Sequence, residues 1–193
     1  GKEFMRIIAG TAKGTKLYTL EGKNTRPTLD RVKESLFNIL QNEIKDCYFL
    51  DLFSGSGAVG LEAASRGAKK VILCEQSKEA VQIIKKNIQK THLQEKVEIY
   101  ALDFIRFIQD KLHEKPDFIY IDPPYRSDFA VKAIQEFLKV EKIKLTSIFI
   151  VETDREQEFL KQIDDLPIQV IDHRRYGRAH LIFLQRCQSD RKG

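Results

Sequence analysis

No apolar run in the chain approaches the roughly 20 residues that a membrane-spanning helix needs, and no signal peptide follows Met5. A membrane protein is therefore not expected, and a cytoplasmic location is. Cysteine is scarce: Cys47, Cys74 and Cys187 are odd in number, far apart and without metal-ligand spacing, so they read as reduced thiols rather than bridges or ligands. His92, His113, His173 and His180 show no metal or catalytic arrangement, and no metal is expected. Internal repeats, low-complexity segments and inter-domain linkers are also absent. Gly1-Lys2-Glu3-Phe4, ahead of Met5, read as an expression scar. A chain of 193 residues then suits one domain with a full-sized core.

What is present is positive charge at both ends. Residues 5–33 hold seven Lys/Arg against two Asp/Glu, and residues 172–193 hold six against two. With a net charge of +5 for the whole chain, the body between them is mildly acidic. Basic ends on an acidic body suit a nucleic-acid footprint, although basic termini are also commonly just solvated tails.

Arg6-Ile7-Ile8 and Lys16-Leu17-Tyr18 flank a loop with Gly10 and Gly14, a hairpin candidate. Arg26-Pro27-Thr28 reads as a rigid loop. A helix begins near Arg31, capped by Asp30 or Thr28, with Val32, Leu36, Ile39 and Leu40 on one face. Strand candidates are 48–52, 71–75, 97–101, 118–122 and 147–152, with helical patterns between them such as Val81, Ile84, Ile88 and Val131, Ile134, Phe137, Leu138. That alternation predicts an α/β fold, a mostly parallel doubly wound sheet covered on both faces. Residues 168–171 and 180–185, joined by an arginine-rich turn, predict a closing antiparallel hairpin at the C-terminal side.

The strand-like run Phe118-Ile119-Tyr120-Ile121 ends in Asp122-Pro123-Pro124-Tyr125. These four residues suit methylation of a nitrogen attached to a planar ring. Such a nitrogen is a poor nucleophile because its lone pair is delocalised. Acceptors aimed at its N–H groups turn the lone pair toward an incoming methyl. The Asp122 carboxylate and the Pro123 carbonyl are two such acceptors, the prolines hold the carbonyl rigidly, and Tyr125 offers a stacking face for a base turned out of its stack. A rigid turn after a buried strand is the plainer alternative.

An earlier strand ends in Asp51-Leu52-Phe53-Ser54-Gly55-Ser56-Gly57-Ala58-Val59-Gly60. Gly55, Gly57 and Gly60 fit the dinucleotide pattern, weak evidence by itself. Glu75, 18 residues after Gly57, ends the next strand, where an acid accepts from both ribose hydroxyls. NAD and S-adenosylmethionine both fit to this point. Asp51 suits an ammonium and a sulfonium and is a poor neighbour for a pyrophosphate. Asp103, after the third strand, can take an adenine amine with Phe104 beside it, although an acid opening a helix is more often a cap. Four strands in turn thus end in the glycines, Glu75, Asp103 and Asp122, and ligands in such sheets bind at those ends.

With these residues the chain resembles the class I S-adenosylmethionine-dependent methyltransferases. More closely it resembles the bacterial 16S ribosomal RNA guanine-N2 methyltransferases (RsmD-like). The likeness spans nearly all of residues 5–185. It rests on Arg6-Ile7-Ile8-Ala9-Gly10, the block Arg26-Pro27-Thr28-Leu29-Asp30-Arg31-Val32-Lys33-Glu34, the glycine loop, Asp122-Pro123-Pro124-Tyr125 and Tyr176-Gly177. The resemblance implies a Rossmann-like fold and transfer of a methyl group to the exocyclic amine of one guanine in small-subunit ribosomal RNA. It implies that the glycine loop and Glu75 hold the cofactor and that residues 122–125 serve the target base; with the residues read above, the expected cofactor site is Asp51, Phe53, Gly55, Ser56, Gly57, Glu75, Gln76, Asp103 and Phe104. Side chains expected to meet RNA are Arg6, Arg26, Thr28 with its loop, Arg31, Lys33, Arg174, Arg175 and Arg178. The expected layout is a hairpin and RNA-contacting loop over 5–30, a methyltransferase domain over 31–186 and a basic tail over 187–193, acting as a monomer.

Overall fold

The computed structural model describes residues 5–20 and 27–188, and the side chains within them except those of residues 27–29. Residues 1–4, Arg26 and most of the basic tail lie outside the described residues, as does the Thr28 side chain.

Alternating elements build one seven-stranded sheet. In chain order they are α1 (Pro27–Leu40), β1 (Tyr48–Asp51), α2 (Ala58–Ser65), β2 (Lys70–Cys74), α3 (Lys78–Thr91) and β3 (Val97–Tyr100). There follow α4 (Phe104–Arg106), which runs on into a π-helical turn at Phe107–Lys111, then β4 (Phe118–Ile121), α5 (Phe129–Val140), β5 (Ile148–Thr153), α6 (Glu156–Gln162), β6 (Ile168–Tyr176) and β7 (Ala179–Arg186). The strand order is β3-β2-β1-β4-β5-β7-β6. The first five strands are mutually parallel, and β7 and β6 add antiparallel.

The strands form where they do because β1 and β4 bury every residue, the pattern of central parallel strands covered on both faces. Successive side chains point to opposite faces. Phe49, Val71, Phe118 and Ile150 accordingly join α1, α2 and α3 in one core, whereas Leu50, Ile72, Ile119 and Phe149 join α4, α5 and α6 in the other. Phe37, Phe49, Phe107, Phe137 and Phe149 are fully buried, and each contributes about 1.5–3 kcal/mol by leaving water. Helix α3 shows the local logic. The Ser77 hydroxyl accepts from the Ala80 N–H at 3.3 Å as its N-cap, and Val81, Ile84 and Ile88 face the core at helical spacing. Its end is left-handed His92, with φ of 58°.

Three expectations change. Helix α1 starts at Pro27 rather than near Arg31, so Pro27 and Thr28 belong to its first turn and Asp30 is inside the helix, not its cap. A proline has the φ of a first helical residue and lacks an N–H that would go unpaired there. The N-terminal pair of strands is a single antiparallel bridge, Arg6 to Lys16, with Ile7 and Leu17 buried beneath it. The last hairpin is longer than expected: Tyr176 pairs with Ala179 across a two-residue turn, so Arg174 and Arg175 lie on β6 and only Arg178 is in the turn.

The N-terminal strap is tied to α2 and α3 by polar side chains. The fully buried Glu62 carboxylate accepts from Ile8 N–H at 2.9 Å and Ala9 N–H at 3.1 Å. Arg66 Nε at 2.8 Å and Lys33 Nζ at 3.3 Å balance its charge. Lys33 also donates to the Arg6 carbonyl at 2.7 Å. Burial holds the Lys33 ammonium below its ordinary pKa, against the pull of Glu62. Lys33 is thus a structural cation and not a side chain that meets RNA.

Candidate active site

The acids that end the parallel strands gather along one edge of the sheet. Beyond β1 the chain makes a tight loop into α2, with Gly55 at φ of 58° and Gly57 at 84°. Side chains rarely adopt that left-handed region, which is why glycine occupies it. Glu75, just past β2, braces this loop: one carboxylate oxygen accepts from Gly55 N–H at 2.8 Å and the other from Ser77 N–H at 3.0 Å. From the far side the buried Asn87 amide donates to the Ser56 carbonyl at 2.9 Å. It also exchanges two bonds with the Tyr18 backbone, at 2.8 and 2.9 Å. One side chain therefore ties the strap to the loop.

A cleft of about 840 Å³ opens over this loop. Asp51, Phe53, Gly55, Ser56, Glu75, Gln76, Asp103 and Phe104 all line it. Gly57 does not; it is buried as the N-cap of α2. Asp51 is 1% exposed. Its Oδ2 accepts from Gly60 N–H at 3.2 Å, while its Oδ1 has no hydrogen-bond partner among the described residues. Burial pushes this carboxyl up to about 7, and the neighbouring Glu75 and Glu152 charges add to the effect. A buried acceptor left unsatisfied is costly, so this one calls for a cation or a donor. Asp103 serves as a helix cap, accepting from Ile105 N–H at 3.1 Å and Arg106 N–H at 3.3 Å. Phe53, Phe104 and Phe129 form one aromatic wall, with Phe104 5.0 Å from both partners. Neither Phe129 nor Asn87 carries a sequence signal of its own, since each comes from a helix whose pattern reads simply as core.

A second cleft, of about 480 Å³, lies on the other side of Asp122. Tyr125, Arg155, Tyr176 and Arg178 are among its walls. Asp122, Pro123, Pro124 and Glu152 line both clefts, so the two meet there. The Pro124 carbonyl accepts from the Ser127 hydroxyl at 2.8 Å, closing a turn that presents Tyr125 at 69% exposure. The Arg126 guanidinium lies 5.3 Å from that ring. Sequence reasoning missed Glu152. It is held by the buried Tyr120 hydroxyl, which donates to Glu152 Oε1 at 3.0 Å. The signal was available, because Glu152 is another acid near the end of a parallel strand.

The expected RNA-facing side chains are dispersed. Arg6, Arg31, Arg174, Arg175 and Arg178 are exposed. Arg174 is tied to Asp172 at 3.1 Å, Arg175 donates to the Gly177 carbonyl at 3.0 Å, and Arg178 alone of these arginines reaches the second cleft. Two histidines read as incidental are in fact linked: His173 Nε2 and His180 Nδ1 are 2.8 Å apart, and His180 Nε2 is 3.3 Å from Glu156. Among the described residues no cluster of three metal-ligating side chains exists, and no helix is long and apolar enough to cross a membrane.

A strand order of this kind, with a glycine loop after β1 and acids at the strand ends, invites comparison with known proteins. The chain is 38% identical over 160 residues to the Haemophilus influenzae ribosomal RNA small subunit methyltransferase D, covering 81% of this chain and 82% of that protein. A solved hypothetical protein from Thermus thermophilus superposes with a TM-score of 0.75 at 29% identity, covering 93% of this chain and 98% of the other. The ribosomal protein L11 methylase of Lactobacillus delbrueckii subsp. bulgaricus shares the fold alone, with a TM-score of 0.65 at 16% identity over 80% of this chain and 77% of that one. The family described as Conserved hypothetical protein 95 matches residues 5–185. On that match the chain belongs to the Conserved hypothetical protein 95 family, the family of the ribosomal RNA small subunit methyltransferase D proteins.

Proposed function

We propose that this chain methylates the exocyclic N2 amine of a guanine in 16S ribosomal RNA, using S-adenosylmethionine, as a cytoplasmic monomer acting on the small subunit. One observation carries this reading: the two clefts meet at Asp122-Pro123-Pro124, beside a buried carboxylate with an unused acceptor. A methyl donor on one side and a target base on the other would then face each other across a shared wall.

The residues fit the donor. Asp51 supplies a negative charge that a cationic ligand would satisfy, Glu75 lines the cleft with a carboxylate that would accept from ribose hydroxyls, and Phe53, Phe104 and Phe129 would give a ring an apolar wall. Bound there, S-adenosylmethionine supplies an electrophilic methyl carbon on a good leaving group. The chain's own work is positioning and lone-pair orientation. Asp122 and the Pro123 carbonyl accept from the amine and draw its lone pair from the ring plane. Tyr125, exposed beside them, stacks on the base. Arg178 at the cleft, and the exposed Arg6, Arg31, Arg174 and Arg175 elsewhere on the surface, serve phosphates, which fix position without reading sequence.

The test is methyl transfer from labelled S-adenosylmethionine to unmodified small ribosomal subunits, with naked 16S RNA and duplex DNA beside them and the products digested to nucleosides. N2-methylguanosine from ribosomal substrate is expected. Label in DNA adenine would overturn the substrate, and tight cofactor binding with no label anywhere would mark an RNA-binding protein without turnover.

A further inference from the structure

We infer that Glu152 reads the target base, accepting from the guanine N1–H while Asp122 and Pro123 hold the amine, and so makes the site selective for guanine; this rests on the reading above. Two independent features of the sheet place it there. Ile121, the last residue of β4, pairs with Val151 in parallel register, so Asp122, just past β4, and Glu152, still on β5, follow a paired position. Side chains two apart on a strand share a face. Glu152 therefore follows Ile150 onto the side of Tyr120, and both carboxylates line each of the two clefts.

The Tyr120 hydroxyl fixes the orientation. It is buried at 3% exposure and donates to Glu152 Oε1 at 3.0 Å. A carboxylate has about four acceptor positions, and the Tyr120 hydroxyl occupies one of them. The Tyr120 proton stays in place across ordinary pH, because burial first and the Glu152 charge second hold the phenol well above its usual range.

The chemistry selects the base. Guanine offers N1–H and N2–H₂ as adjacent donors on its Watson–Crick edge, and a pair of carboxylates accepts from both. Adenine offers an acceptor at N1, which would face a carboxylate without a proton between them. A site built around a substrate donor rejects the analogue that lacks it far more strongly than an apolar pocket does. Turned-out bases are read at this edge by such bonds.

The test compares Glu152→Gln, Glu152→Asp and Tyr120→Phe with the unsubstituted chain. Cofactor affinity is measured by titration with S-adenosylhomocysteine, and transfer by single turnover on unmodified small subunits. Glu152→Gln keeps an oxygen for Tyr120 and loses the charge. Its transfer rate is expected to fall about 10- to 100-fold, the range for a hydrogen bond to a charged group, with cofactor affinity changed less than about threefold. Glu152→Asp, which restores the carboxylate, should recover part of the loss. Tyr120→Phe, which leaves the carboxylate but removes its Tyr120 hydrogen bond, should fall in between. Transfer by Glu152→Gln within about threefold of the unsubstituted chain overturns the inference. So does an equal loss of cofactor affinity and transfer, which would make Glu152 a residue that holds the cofactor and not one that reads the base. Absence of N2-methylguanosine from the unsubstituted chain itself overturns the underlying reading and this inference together, and is seen before any variant is compared.

Discussion

Asp51 is the residue whose energetics follow most directly from its surroundings. Its carboxyl is held at about 7 in the folded chain against an ordinary 3.8. The folded state therefore keeps a proton that the unfolded state gives up, and the linkage relation makes stability fall as pH rises between those values. Thermal unfolding of the ligand-free protein should show that decline between about pH 4.5 and 7. Asp51→Asn, neutral throughout, should remove this contribution. A cationic ligand reverses the sign, since it favours the ionised carboxylate. Affinity for S-adenosylmethionine should accordingly rise as pH rises toward 7 and above, and should stay flat in Asp51→Asn. A flat profile in the unsubstituted chain would mean that the cation is placed elsewhere. Asp122 separates from Asp51 in role. It is exposed, at the junction of the clefts and not in the floor of the first. Asp122→Ala should reduce turnover by at least about 100-fold, the scale of a lost transition-state contact, with cofactor affinity retained. Equal losses in both would contradict that division.

Among the elements, the N-terminal strap depends on charges that helix and strand patterns do not reveal. Glu62 answers two backbone N–H groups, Lys33 and Arg66 from full burial. Removing one member of a buried ion network leaves its partners unpaired, so Glu62→Ala should cost about 3–5 kcal/mol in chemical unfolding. Amide exchange should speed at Ile8 and Ala9 first, because their N–H groups lose their acceptor. Lys33 illustrates a limit of sequence reading: in the first basic stretch it is indistinguishable from Arg31, and only the fold brings it to Glu62. The parallel strands were legible because burial on both faces demands continuous apolar runs, and the acids closing them stand out. The length of β6 was not. It is an edge strand with Val170 and Ile171 exposed at 42% and 44%, so pairing to β7 rather than an apolar pattern sets its extent. The start of α1 was misjudged because Pro27 reads equally as a loop residue and as a first helical residue, a choice its later helical turns decide.

At the scale of the whole molecule, the acidic strand ends and the basic periphery have complementary tasks. Five carboxylates, Asp51, Glu75, Asp103, Asp122 and Glu152, line the first cleft, and this would repel a polyanion unless cations flank it. The arginines of the β6–β7 hairpin provide such a flank, but their surroundings make them unequal. Arg174 is already paired with Asp172, whereas Arg178 reaches the second cleft. Each phosphate contact contributes about 0.7–0.9 to the slope of log affinity against log salt. Arg178→Ala should reduce that slope by about one such unit, and Arg174→Ala by clearly less, in binding of small subunits across a salt series. The two should also differ in rate: at saturating RNA, transfer should slow in Arg178→Ala and be nearly unchanged in Arg174→Ala, because only the former borders the target-base cleft. Equal salt slopes and equal rates for the two variants would show that the hairpin acts as a diffuse positive surface, with no arginine assigned to the base site.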